Sequence, residues 1–519
     1  MRKINQAVLV DPLYEPFDMS VDHDLYEKIS TIYLKLLSTF ELRKLAWQMQ
    51  SGLLFEAYPG CTHTRRAHAI GCWILGWHSL QDIKVEVSDS GSEPGVPLKD
   101  WLMGNEKEED FTKEYLLSLL LHDVGHGPFS HAIESNPFLR YIDHEEIGRS
   151  LICNTEAENN INYHVLLKYL LTTYKIKKIP DSAEEYRTLY KKVEKETRVI
   201  YDVLKSGENV KIDVIMTILK GGSKNPRLNS LNHLVDSEVD IDRIDHFLRD
   251  SYYSGIKFAD YRVKGLFQNL VIIPQNTKKY EKINGKISEK IEDLKDAPSY
   301  LMVKEEGIEQ VEYLLTAREF IFDRVLFHPK NLMLIGALNM GVRLIAIYEP
   351  CIESILPFLT DQILLQMFRV DKFTNTTIEG YEKFLRGEIP AGEFASNKEF
   401  SLNIDNLEVK EVYERMEEDV KEVYERIEDF NSETPANPKI IVFSNLKRKD
   451  GNGGWWKNVI SEKNCLPLGM GEDEGKLFEW LQDKEKSRSN KVIIWYKEGL
   501  DLEKDVGLPE DFLRREIHE

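Results

Sequence analysis

Cysteine is scarce in this chain: five residues in 519, at Cys61, Cys72, Cys153, Cys351 and Cys465, odd in number and never spaced C-x-x-C. That pattern excludes a disulfide framework and a cysteine zinc site, and it predicts a reducing, cytoplasmic setting. Long apolar runs are also missing. The opening "MRKINQAVLVDPLYEPFD" has no apolar signal core, and nowhere do about 18 uncharged apolar residues stand together, so no membrane association is expected. Positive charge is in deficit. A net charge of −20 argues against extended nucleic-acid binding, which needs a basic surface, but leaves room for a small anion held by a local group of cations.

What is present is helical amphipathicity. Residues 20 to 350 carry apolar side chains at three- and four-residue intervals, as in "DLYEKISTIYLKLLSTFELRKLAWQM". "FTKEYLLSLLLHD" is apolar nearly all round, which predicts a central, buried helix. Val85 to Asp110 collects Gly, Pro, Ser and acids and reads as an exposed loop. After residue 350 the character changes. "VKEVYERMEED" and "VKEVYERIEDF" repeat after 11 residues, giving one stripe of Val409, Val412, Met416, Val420, Val423 and Ile427 on an acidic helix. Such a stripe serves either an oligomer contact or packing on its own domain, and the second is favoured. "KIIVF" and "KVIIWY" read as buried strands with "EGKLFEWLQDKEK" as a helix between them. The expectation is a mainly α fold: a helical core over 1–350, a helical acidic extension over 351–435, and a small α/β region over 436–519. "GMGEDEGK" resembles a phosphate loop, but its glycines are wrongly spaced from Lys476 and its acids would repel phosphate.

Chemistry concentrates in "LLHDVGHGPFSHAIE", residues 120–134, which holds three histidines and two acids but no lysine or arginine. A divalent cation in a helical protein needs neutral imidazoles and carboxylates converging from several helices. His122 and Asp123 are adjacent, and Gly125, Gly127 and Pro128 supply the bend that lets both face one point. Further donors are available in "YPGCTHTRRAHAIGCW" (His63, His68) and "DSEVDIDRIDHFLRD" (Asp240, Asp242, Asp245, Asp250).

In that order these motifs, with "DHEEIG", resemble the HD-domain phosphohydrolase superfamily, and within it the deoxynucleoside triphosphate triphosphohydrolases, which include bacterial dGTPases. The resemblance runs from "VDPLYEPFD" to about residue 345. It implies an HD-domain helical core and a divalent cation (Mn, Fe, Zn or Mg) held by His68, His122, Asp123 and Asp242. It implies His131 with Glu134 as a catalytic histidine–acid pair, and His126 and His144 as further active-site histidines. Substrate-binding roles fall on Gln50, Arg65, Arg243, His246, Asp250 and Arg318. The implied reaction converts a deoxynucleoside triphosphate to deoxynucleoside and inorganic triphosphate. Also implied are a homo-oligomer and activation by a nucleotide at a subunit interface. The same residues leave open hydrolysis of another nucleotide or phosphodiester bond, or a nucleotide-sensing assembly module. The chain departs from the family at Arg243 and His246, often lysine and tyrosine, and at Ser51 and Leu326, where leucine and tyrosine are usual. Smaller groups at the last two positions predict a greater tolerance of ribose.

Overall fold

The structure is a computed structural model. Its described residues run from 8 to 508, apart from residues 88–94, 105–108, 174–198, 289–295, 371–375, 402–421, 434–437, 446–458, 464–479, 481–490 and scattered short positions. The fold is mainly α, as the periodicity predicts. The helix Thr112–Leu121 is central: Tyr115, Leu116, Leu117, Leu120 and Leu121 are all fully buried. Arg65–Asp82 packs along it, with Trp73 and Trp77 filling the space between helices. These side chains belong to one apolar core drawn from residues 19 to 325.

A second core joins Leu53, Phe129, Ile133 and Ile147 to residues 332–508. Its spine is the helix Pro329–Tyr348, the one described helix long and apolar enough to cross a membrane. Here 67% of its most apolar window is buried within the fold, so its apolarity serves packing. Gly336 lies so close to the strand Ile440–Asn445 that a Cβ would stand 2.5 Å from the Val442 carbonyl oxygen. A division at residue 350 therefore cuts across a continuous core.

"KIIVF" and "KVIIWY" do form strands, Ile440–Asn445 and Lys491–Tyr496, paired antiparallel with the latter central and Ser396–Ser401 on its other side. The helix expected between them lies outside the described residues, Trp480 apart. Val459–Ser461 does not join that sheet. It pairs parallel with Ser299–Val303, at the edge of a five-stranded sheet in the first part of the chain. Two of the six stripe residues are described: Val423 and Ile427 are buried in the second core, while 409–420 lies outside the described residues. The Val85–Asp110 stretch is more ordered than a loop. It contains a strand, Val96–Pro97, and a helix, Leu98–Met103, whose Leu98 and Leu102 are fully buried, because two leucines at helical spacing outweigh the polar flanks.

Candidate active site

Three helix N-termini meet at "LLHDVGHGPFSHAIE". Thr64 caps Arg65–Asp82 by accepting the Ala67 N–H, Asp240 caps Ile241–Ser254 by accepting from Arg243, and Asp143 caps His144–Cys153. The caps fix where each helix starts, and so place His68, Asp242 and His144 in first turns that face one another.

The first cluster is formed by His68, His122, Asp123 and Asp242. His68 Nε2 lies 2.8 Å from Asp242 Oδ1 and 3.7 Å from Asp123 Oδ2. His122 Nε2 lies 3.5 Å from both Asp123 Oδ1 and Asp242 Oδ1. Donors bound at about 2.0–2.2 Å to one cation stand about 3–3.5 Å apart. Donor atoms of His68, Cys72, His122 and Asp242 all lie within 4.8 Å of one another, a group that could hold a metal ion, and Asp123 faces His68 and His122 from 3.7 and 3.5 Å with one oxygen each. Each imidazole is already aimed. The His68 Nδ1–H donates to Asp245 at 2.7 Å and the His122 Nδ1–H to the Leu119 carbonyl at 2.8 Å, leaving Nε2 of each for the site. His122 Nε2 is buried with no hydrogen-bond partner, an unmet donor atom where a ligand belongs. Burial works against ionising Asp123, yet Arg65, His122 and His126 hold its carboxyl well below the usual carboxylate range. Burial likewise opposes charge on His122, and Asp123 and Asp242 overcome it and raise its pKa. A pocket this negative suits a cation.

Asp245, one of the four acids offered as donors by its segment, stands behind His68 and not at the cation position. It takes two hydrogen bonds from Arg249, both 2.8 Å, and one from the Tyr14 hydroxyl at 2.6 Å; Asp11 holds Arg249 in turn at 3.1 Å. Its three-residue offset from Asp242 puts the two carboxylates on one helix face. Gly71 makes room for it, since a Cβ there would stand 2.0 Å from Asp245 Oδ1.

The second cluster is His126, His131, Glu134 and His144. Glu134 bridges two imidazoles: His131 Nδ1–H donates to Oε2 at 2.7 Å and His144 Nδ1–H to Oε1 at 2.9 Å. His126 stacks on His144, centroids 3.8 Å apart, and lies 3.3 Å from Asp123 and 3.4 Å from Glu134, so it links the clusters. That stack needs Gly125, where a Cβ would collide with the His144 carbonyl oxygen at 1.9 Å. Burial would raise the Glu134 carboxyl, but His144, His131 and His126 hold it well below its usual range. Burial opposes charge on His144, yet Glu134 raises it to about 9. Burial with the cations Arg65 and His144 pushes His126 down to about 3, so it is neutral. The His131 side chain is 62% exposed, open to an incoming substrate.

The backbone carrying His131 is strained. Phe129 and Ser130, both L-residues with side chains, sit at φ 55° and 53°, which costs about 1–3 kcal/mol apiece. Buried groups far along the chain hold it there. Lys44 Nζ donates to the carbonyls of Val124, His126 and Pro357, and Gln48 to those of His126 and Leu359. Asp361 accepts the N–H groups of Met49 and Phe129, each at 2.7 Å.

The expected substrate residues divide. Gln50 is buried beside the site with Oε1 unpartnered. Asp250 takes His63 at 2.7 Å and the Ser51 hydroxyl at 3.0 Å on Oδ1, while His246 lies 2.9 Å from Oδ2. Ser51 is therefore already engaged, and Leu326 packs against the first core. Three expected phosphate contacts are turned to protein partners. Arg65 binds Asp123 and Ser130, Arg243 binds Glu238 and the Ser237 carbonyl, and Arg318 pairs with Glu319 at 2.6 Å. Arg243 and Arg318 neutralise acids close by in the chain, and Arg65 one that the fold brings from 58 residues away, which residue type alone does not reveal.

Residues 100–199 match the HD-domain family, a span that contains His122, Asp123 and the whole second cluster. Relatives match beyond that span. The chain is 21% identical over 296 residues to the uncharacterized protein YwfO of Bacillus subtilis, covering 57% of this chain and 47% of that protein. It is 22% identical over 247 residues to the deoxynucleoside triphosphate triphosphohydrolase SAMHD1 of Bos taurus, covering 44% of this chain and 34% of that one. It spans about half the length of the curated relatives it matches first. A phosphohydrolase crystal structure from Bacteroides thetaiotaomicron shares the fold with a TM-score of 0.52 and 15% identity, over 95% of this chain and 100% of that one. The HD domain alone does not supply His68 or Asp242, which flank it on either side and which the fold brings to it.

Proposed function

We propose that the chain is a metal-dependent phosphohydrolase that converts deoxynucleoside triphosphates to deoxynucleoside and inorganic triphosphate. One observation carries the reading: the His68–His122–Asp123–Asp242 cluster and the Glu134-bridged histidines adjoin through His126 in a single site. A bound divalent cation would neutralise charge that builds on phosphoryl oxygens. His131, open to solvent and tied to Glu134, moves the proton, and Glu134 stabilises its charged form as the acid of a triad does. His144, charged near neutral pH, adds positive potential beside the leaving group. The likeness to the SAMHD1 triphosphohydrolases supports the nucleotide choice.

A second reading follows from the arginines. Arg65, Arg243 and Arg318 all hold protein carboxylates, so a triphosphate would have to draw them away. That favours a substrate with less charge, such as a phosphate monoester or diester, on the same catalytic groups. The test is to incubate metal-loaded protein with each dNTP, each NTP and phosphodiester substrates, and identify products. Nucleoside with triphosphate supports the first reading; release of monophosphate or orthophosphate supports the second.

A further inference from the structure

We propose that Asp361, about 230 residues beyond the HD motif in sequence, is a positioning residue for the hydrolysis, clamping the backbone that presents His131 to the backbone that presents Gln50. The inference rests on the reading of His131 and Glu134 as the proton-transfer pair.

Asp361 is 5% exposed, in the first turn of a helix, Asp361–Met367, capped by Thr360. Its two oxygens are divided between two chain segments: Oδ2 accepts the Met49 N–H and Oδ1 the Phe129 N–H. Met49 precedes Gln50, and its segment pairs with 63–65 at the start of the His68 helix. Phe129 begins the two left-handed residues that lead into His131. The Met49 carbonyl closes the loop by accepting from the Ser130 hydroxyl at 3.2 Å, and that hydroxyl accepts Arg65 Nε at 2.5 Å. A carboxylate offers two acceptors at a fixed separation, so it sets the distance between the two amides as well as satisfying them. Burial raises the carboxyl to about 6, and the Met49 and Phe129 amides work against that rise. Asp361 touches none of the four proposed cation donors. Its effect should fall on the second cluster and on Gln50, the two things it holds together.

The test compares the full-length chain with Asp361→Asn, Asp361→Ala and, as a control, Glu382→Gln. Glu382 is equally buried and binds Arg369 and Arg386, away from the site. Asparagine keeps one acceptor and should lie between wild type and alanine. The expected result is a kcat with dGTP lowered about 10- to 100-fold in Asp361→Ala, the size of a misplacement of about 1 Å. Bound manganese should be unchanged, a rise in KM reports the part of the clamp that holds Gln50, and Glu382→Gln should retain the wild-type kcat and KM. In ¹⁵N spectra of the substrate-free protein, the ring signals of His131 and His144 should shift while those of His68 and His122 stay. If wild type does not hydrolyse dGTP, the functional reading fails and the spectra alone decide this one. Unmoved His131 and His144 signals, or loss of manganese along with activity, would overturn the proposal. Should Asp361→Ala not fold, Asp361→Asn carries the same comparison.

Discussion

The two clusters of the site are built on opposite principles. The cation cluster is largely enclosed, Asp242 apart: His68 is fully buried, each imidazole is aimed by a hydrogen bond behind it, and Arg249, Tyr14 and Asp11 stand behind Asp245. It rests on helices of the first core. The histidine–glutamate cluster is half open, stands on a strained two-residue turn, and belongs with the second core. A cation site tolerates little movement because its donors must meet at one point, so rigidity is provided behind His68, His122 and Asp123. A proton-transfer group has to meet a substrate that comes and goes. It is left exposed, and the rigidity lies in the backbone beneath it.

The largest effects should come from breaking the first cluster. His122→Ala or Asp123→Ala removes one of two adjacent donors that no neighbour can replace, and both bound metal and turnover should be lost. Metal analysis beside an activity assay checks this; a fully loaded, fully active variant would contradict the assignment.

Breaking the second cluster should separate the two properties. His131→Ala is expected to keep the metal and lose about 10²- to 10⁴-fold in rate. A retained rate above about a tenth of wild type would remove His131 from proton transfer.

The charge on Glu134 provides a gentler probe. His144 is raised from 6.5 to about 9, so its charged form contributes stability that is fully present below pH 6.5 and is lost as pH climbs through about 9. Glu134→Gln should bring the His144 midpoint down toward its ordinary value, read by NMR titration, and flatten the fall in stability across that window in denaturation curves. An unchanged midpoint would show that Glu134 is not what holds the charge.

The smallest effect should be at the sugar. Ser51 already donates to Asp250, so its hydroxyl is not free to greet a ribose, and the tolerance of ribose expected from its polarity is reduced to a matter of space. Ser51→Ala should change the ratio of kcat/KM between a dNTP and its ribo counterpart by no more than about 10-fold, the worth of one hydrogen bond. Ser51→Leu should sharpen the preference for deoxy substrates.

The reach of sequence reading differs between the clusters for a physical reason. Helix caps, the apolar helix before His122 and the Gly-Pro bend are local, set by residues within a few positions of one another. They were enough to predict a mainly α fold and to bring His122 and Asp123 to one point; the choice of His68 and Asp242 among the other available donors came from the family resemblance. Gly125 was legible as a bend, although its closer purpose is the space it leaves for His144. Tertiary structure alone decided what surrounds those residues. Lys44 reaching Pro357, Asp361 reaching Met49 and Val459 pairing with Leu301 join positions more than 150 residues apart. Nothing in a side chain's neighbours along the chain encodes such a partner. Likewise, residue type said that Arg65, Arg243 and Arg318 could bind phosphate, but only the folded arrangement shows which carboxylate each already holds. Charge and helical period act over one or two turns and can be read in order; a buried acceptor takes whichever donor the packing of two cores delivers to it.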